Sequence, residues 1–291
     1  MLSAMTVAST AINVTPGIAP LVATVTGIDL SEPLSPVVLS TLHSAWARFP
    51  VLVFPRQALD ARSLEDFAGR FGPIGIDPFV SPVPGARHVV AVSHGPRETA
   101  PVFGSAWHSD WSFLPVPPSG TLLYAVEVPP FGGDTLIADC ASAFDALSDP
   151  VQRFLLSLHA EHSAVRAYGP QGLFARDDAS RSMSIVVSPQ AEAIEVHPLV
   201  RTHQPSGRRA LFINPVYTLR VVGLHEDESR ALLEFLFRHM VRDEFVYRHR
   251  WEAGTLLLWD NRRVAHRALG GHAGHQRLMY RVTLAGERPA A

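Results

Sequence analysis

The sequence predicts a mainly β fold with flanking helices around a jelly-roll core, a double-stranded β-helix. Short β-branched and apolar runs recur at 51–54, 121–128, 134–138, 210–213, 244–250, 255–259 and 278–284. Glycine and proline punctuate the gaps between them. Only a few segments carry a helical period, and many short strands with few helices bury their faces best as two packed sheets.

In chain order, residues 1–14 are small and weakly patterned, which predicts a loose N-terminus. Ser35 and Pro36 can open a helix with Leu39, Leu42 and Trp46 on one face. The strand at 51–54 follows, and Ser63 can cap a second helix bearing Leu64, Phe67 and Phe71, stopped by Gly72-Pro73. From 73 to 119 proline and glycine recur, so this stretch is expected to be mostly loop, able to cover a substrate. Later helices are expected at 150–158 and 227–240, the second with the stripe Leu232, Leu233, Leu236 and Met240. With no shift in composition, residues 1–291 read as a single domain.

Composition removes several classes of function. Net charge is −2, so no field favours nucleic acid or an anionic membrane, and neither is expected as a partner. All 25 basic residues are arginine, which excludes Schiff-base and P-loop lysine chemistry and leaves arginine as the only strong anion receptor. Cys140 is the only cysteine, so an intrachain disulfide, a cysteine zinc cluster and an iron–sulfur site are all excluded; it reads as a buried structural thiol. The N-terminus carries no signal pattern and no run is long enough for a membrane span, so a cytoplasmic location is expected.

The chemistry concentrates in His108, Asp110 and His266, followed by Arg277 and Arg281. Two imidazoles and one carboxylate can cap one face of an octahedral ion and leave three exchangeable positions, the arrangement of non-haem Fe(II) oxygenases. His/Asp sites also bind zinc, so a hydrolase or isomerase remains an alternative, as does a non-catalytic sensor of iron or 2-oxoglutarate. Arg277 and Arg281 lie four residues apart, so on a strand they share one sheet face.

Around these residues the chain resembles the taurine dioxygenase and 2,4-dichlorophenoxyacetate dioxygenase family, the TauD/TfdA group of Fe(II)- and 2-oxoglutarate-dependent enzymes. The likeness covers most of the length. It includes Gly27-Ile28-Asp29-Leu30, Phe71-Gly72-Pro73, Gly132-Gly133-Asp134-Thr135, His197-Pro198-Leu199-Val200-Arg201-Thr202-His203, Ala210-Leu211-Phe212-Ile213-Asn214 and Gln276-Arg277-Leu278-Met279-Tyr280-Arg281. The resemblance implies a cupin-like core, His108, Asp110 and His266 as Fe(II) ligands, and Thr135 with Arg277 on the distal carboxylate of 2-oxoglutarate. A dicarboxylate held at one end by the metal does need a permanently charged, planar fork at the other. With O2, the implied reaction hydroxylates a small organic acid, such as a sulfonate, alkyl sulfate or phenoxyalkanoate, and releases succinate and CO2. Cleavage follows if the hydroxylated carbon bears a leaving group.

For the primary substrate the resemblance points to Arg281, Tyr217, Asp77 and Val80. Arg281 matches an arginine that in taurine enzymes contacts the sulfonate, and Tyr217 matches a substrate-facing aromatic. Asp77 falls where the taurine enzyme has a histidine, and Val80 where it has a polar aromatic. A carboxylate beside a sulfonate is repulsive, so taurine fits poorly. Family members assemble as dimers or tetramers, and a homo-oligomer is expected here on the same ground.

Overall fold

Alternation along the central strands of one large sheet gives that sheet two apolar faces, and the site hangs on one of them. The computed structural model describes residues 12–176 and 180–291. In chain order the strands are β1 (Asn13–Pro16), β2 (Val22–Thr26), β3 (Val51–Phe54), β4 (Val90–His94) and β5 (Gly120–Glu127). Next come β6 (Thr135–Asp139), β7 (His159–Ser163), β8 (Ile194–Pro198), β9 (Val200–Thr202) and β10 (Arg209–Leu211). The last are β11 (Thr218–Val221), β12 (Val246–His249), β13 (Leu256–Asp260), β14 (Val264–Ala268) and β15 (Arg277–Leu284). Seven of them form the large sheet in the order β1-β2-β3-β13-β5-β15-β4. Two three-stranded sheets, β12-β6-β14 and β11-β7-β8, and the pair β10-β9 complete a mainly β protein.

Helices α1 (Pro36–Arg48) and α2 (Ala61–Phe71) contribute to the core on one face of the large sheet. Leu122 and Tyr124 of β5, Leu256 and Leu258 of β13, and Val282 and Leu284 of β15 join Leu42, Trp46, Leu64 and Phe67 there. The intervening residues, Leu123, Leu257, Trp259 and Met279, join a second core that includes Ile137 of β6 and Val264 of β14. Arg277 and Arg281 share the parity of Met279, so β15 presents both toward this second core. Helices α3 (Cys140–Asp145), α4 (Asp149–Leu155) and α6 (Glu226–Met240) supply much of a third core, to which Leu233, Leu236, Met240 and the buried Cys140 belong. A short α5 (Val165–Tyr168) completes the α-helices of the described residues.

Ser35 caps α1 as the sequence predicts, its Oγ accepting from Val38 N at 3.3 Å with Pro36 in the first turn. The reading of α2 needs correction. Asp60 is the cap, accepting from Ser63 N at 2.8 Å, while Ser63 sits at the third helical position and its hydroxyl accepts from Asp60 N at 2.9 Å. A carboxylate is the stronger acceptor and lies three residues earlier. The stretch 73–119 is less of a loop than expected, because β4 lies inside it and pairs with β15. Of the N-terminal segment, residues 1–11 lie outside the described residues. Asn13 and Val14 are not loose but pair with Thr26 and Val25.

Candidate metal centre

The two histidines, far apart in sequence, meet because their backbones pair. His108 N donates to His266 O at 3.0 Å and His266 N to His108 O at 2.7 Å, an isolated bridge that lays the H-x-D segment on β14. Ser109 Oγ fastens the same segment to Val264 O at 2.7 Å. His108 Nε2 and His266 Nε2 then lie 3.7 Å and 3.9 Å from Asp110 Oδ1, and one donor atom from each residue falls within 4.8 Å of the others. His108 Nδ1 donates to Ala106 O at 2.8 Å, which selects the tautomer that leaves Nε2 free for a metal.

Protonation states suit a cation. Burial holds His266 down to about 3 and His108 below the usual imidazole range, so both rings are neutral. Burial opposes ionisation of Asp110, but its surroundings, among them the Arg281 guanidinium and the Thr121 hydroxyl, outweigh that cost and hold the carboxyl below its usual range. Two neutral imidazoles and one carboxylate, without a thiolate, fit Fe(II).

Asp110 is aimed by a relay that sequence reasoning missed. Trp259 Nε1 donates to Asn261 Oδ1 (2.9 Å), Asn261 Nδ2 to Thr121 Oγ1 (2.8 Å), and Thr121 Oγ1 to Asp110 Oδ2 (2.6 Å). This leaves Oδ1 facing the imidazoles. A lone threonine in an apolar strand gives the sequence no signal for this relay. Thr121→Val should lower metal affinity by roughly 10–100-fold with the fold intact. Calorimetric titration with Mn(II) checks this, and unchanged affinity refutes the relay.

The corner between β13 and β14 is held by charge. Asp260 accepts from Arg262 Nε at 2.8 Å and Nη2 at 2.6 Å, and His203 Nε2 lies 2.9 Å from its Oδ2. Burial again works against the carboxylate, but Arg262 and His203 outweigh it and hold Asp260 down to about 2. A depressed carboxylate stabilises the fold above its unfolded value near 4 and loses that contribution as pH falls through about 2. Asp260→Asn should therefore cost about 2 kcal/mol at pH 6 and little at pH 2, read by urea unfolding at both. A cost independent of pH counts against it.

A cavity joins the two metal-ligand histidines to the predicted cosubstrate residues, being lined by His108, His266, Thr135, Arg277 and Arg281 among others. Arg277 is only 3% exposed. Its Nε donates to Gly133 O at 3.3 Å, and burial pulls it down to about 10. The neighbouring Asp134 is taken by Arg248 at 2.6 Å, and among the described residues no carboxylate pairs with Arg277. Thr135 Oγ1 accepts from Trp251 Nε1 at 3.0 Å, which orients the hydroxyl. Gly133 has φ +69° and a Cβ there would stand 3.2 Å from Arg277 Cδ, so glycine gives both the turn and room for the arginine.

The residues named for the primary substrate divide. Tyr217 is buried with its ring 6.4 Å from that of His108, lining a second chamber with Phe103, Tyr168 and Phe174. Arg281 lines the metal cavity, but Asp77 pairs with its Nη2, and its Nη1 lies 3.6 Å from Asp110 Oδ1. Asp77 lines neither chamber. Val80 lines neither as well, contrary to its assignment. It bridges Ile185 and packs in the core with Phe79, because the 74–86 segment is tied down at Ile74, Val80 and Pro82.

The family model for the taurine catabolism dioxygenase TauD, TfdA family matches residues 14–283. The chain is 32% identical to an alpha-ketoglutarate-dependent sulfate ester dioxygenase of Pseudomonas putida, over 92% of this chain and 87% of the relative. It is 36% identical to the alpha-ketoglutarate-dependent 2,4-dichlorophenoxyacetate dioxygenase of Cupriavidus pinatubonensis, over 88% and 91%. Among solved structures, a taurine dioxygenase from Burkholderia xenovorans superposes with a TM-score of 0.80 at 31% identity, covering 96% of this chain and 93% of that one. No helix of the described residues is long and apolar enough to cross a membrane. A buried pair of histidines and an aspartate, backed by an arginine in the same cavity, is thus set in a chain that belongs to the TauD/TfdA family of 2-oxoglutarate-dependent dioxygenases.

Proposed function

We propose that this dioxygenase hydroxylates a small organic acid with an aryl or alkyl body, such as a phenoxyalkanoate, alkyl sulfate or sulfonate. His108, Asp110 and His266 would hold Fe(II), and Thr135 with Arg277 the distal carboxylate of 2-oxoglutarate. The observation that carries this reading is Arg277, a buried guanidinium that pairs with no carboxylate among the described residues and shares one cavity with His108 and His266 of the triad. A buried cation left alone is costly, and an anionic ligand removes that cost. Hydrolysis or isomerisation at a zinc ion would leave Arg277 and Thr135 without a task.

Bound Fe(II) supplies the activation of O2 that accompanies oxidative decarboxylation of 2-oxoglutarate. The chain's own residues orient and exclude. His108 and His266 stay neutral as ligands, and Thr121 and Asn261 fix which oxygen Asp110 offers. Arg277 sets the far end of the cosubstrate, and Phe103, Tyr168 and Tyr217 keep the second chamber apolar beside His108. Residues 1–291 form one domain with a jelly-roll core in this reading, working in the cytoplasm as a homo-oligomer.

Succinate release tests the function across phenoxyalkanoates, alkyl sulfates and sulfonates. It should require Fe(II), O2 and 2-oxoglutarate, and should rise with one class of acid. Turnover of such a compound under nitrogen with zinc defeats the proposal.

A further inference from the structure

His94 and His272 form a buried pair beside Arg277, and the metal centre uses neither of them. His94 is the cross-strand partner of Arg277 in the register of β4 on β15, so the two side chains leave the sheet on one face. His272 belongs to the connection 269–276 between β14 and β15, and its ring meets that of His94 edge-on with centroids 4.9 Å apart. This connection is fastened where Arg277 is fastened. Gly133 N donates to Gly270 O at 3.0 Å, while Gly133 O accepts from Arg277 Nε at 3.3 Å.

His272 is 1% exposed, yet neither of its ring nitrogens makes a hydrogen bond of good geometry among the described residues. A neutral imidazole always carries one N–H, and a buried donor left unpaired is costly. His94 Nε2 donates to Ala100 O at 3.3 Å, which leaves its Nδ1 as an acceptor, also unpaired. Charge keeps the His272 ring neutral. Burial, His94 and Arg277, in that order, hold it below the usual imidazole range; His275 adds to them, and the Gly270 carbonyl pulls the other way. Two acids stand at the edge of the cluster. Asp134, beside Arg277, is engaged by Arg248, and Glu98, beside His94, accepts from Gly95 N and Ser182 N. Among the described residues no carboxylate pairs with His272.

An anion at Arg277 reverses that balance, because it cancels the repulsion from the guanidinium and brings negative charge to the ring. We propose that His272 is a further residue of the cosubstrate site: when the distal carboxylate of 2-oxoglutarate reaches Arg277, His272 takes one proton from solvent, holds it while the carboxylate is bound and returns it on release. This rests on the reading of Arg277 as the fork for that carboxylate. The proton is stored on the imidazole and takes no part in the oxidation. Cosubstrate affinity therefore depends on pH with a fixed sign. Where the ligand-bound ring is already neutral the affinity is flat; as pH falls below that point binding draws in a proton and tightens, until the ligand-free ring is protonated as well.

Calorimetry reads the proton without turnover. The Mn(II)-loaded protein is titrated with 2-oxoglutarate near neutral pH in two buffers of different ionisation enthalpy; oxalate, which chelates a metal but has no distal carboxylate, is the reference. 2-Oxoglutarate should take up a fraction of one proton more than oxalate does. Its affinity relative to oxalate should rise on the order of tenfold between about pH 8 and pH 6, the size of one partly screened contact between charges. His272→Phe keeps an aromatic ring against His94 and should remove both effects, with Mn(II) and oxalate bound as before. Equal proton counts for the two ligands in the unaltered protein overturn the proposal even if the variant misfolds, and so does an excess uptake that survives in folded His272→Phe. Arg277→Leu separates this failure from that of the cosubstrate site. It should weaken 2-oxoglutarate whether or not a proton is taken up, so a loss there without uptake overturns the role of His272 alone, and no loss there overturns both.

Discussion

Replacing Asp110 with alanine is expected to abolish 2-oxoglutarate-dependent succinate formation and to release the metal. Asp110 is the only ionised member of the triad, because burial keeps His108 and His266 neutral. Two neutral nitrogens then remain, and the loss should exceed the roughly 10–100-fold cost of removing an outer partner such as Thr121. Asp110 also balances Arg281, but Asp77 still pairs with that guanidinium, so the variant should stay folded. Circular dichroism and Mn(II) titration separate the two effects. Near-native turnover in a folded, metal-bound variant would remove Asp110 from the ligand set.

The ligand triad could be read from the sequence because its chemistry is written in residue type and spacing: few other reactions use H-x-D, a distant histidine and an arginine soon after it. Thr135, the cosubstrate candidate marked by Gly132-Gly133-Asp134, lies in the same cavity as Arg277. Pairing information is what a linear reading lacks. Nothing local says that β14 accepts the His108 segment as a neighbour, that Thr121 lies under Asp110, or that Asp77 reaches Arg281 across 204 residues. Polar strands also hid. β7 reads His-Ala-Glu-His-Ser with its polar residues partly buried, so its hydrophobic period is faint. β4 was masked by the prolines and glycines around it. Val80 failed for a different reason: a loop match by sequence fixes position along the chain, whereas two backbone bridges on either side turned that side chain into the core.

Arg277→Leu should give opposite results with and without ligand, and this makes it the sharper test of the cosubstrate site. In the ligand-free protein the substitution removes a buried cation that pairs with no carboxylate among the described residues, at the cost of one hydrogen bond to Gly133 O. Stability should therefore hold or rise, unlike the loss of about 3–5 kcal/mol that follows when one partner of a buried ion pair is deleted. With 2-oxoglutarate the order reverses. The distal carboxylate loses its charged fork, a loss on the order of 2–5 kcal/mol that weakens binding roughly 30-fold to several thousandfold. At a concentration 100 times its dissociation constant, the ligand stabilises the unaltered protein by about 2.7 kcal/mol, and the variant should show almost none of this. Mn(II) binding should be unchanged, since Arg277 touches no metal ligand. If the variant instead unfolds readily without ligand and binds 2-oxoglutarate as before, Arg277 is a structural residue and the anion site lies elsewhere.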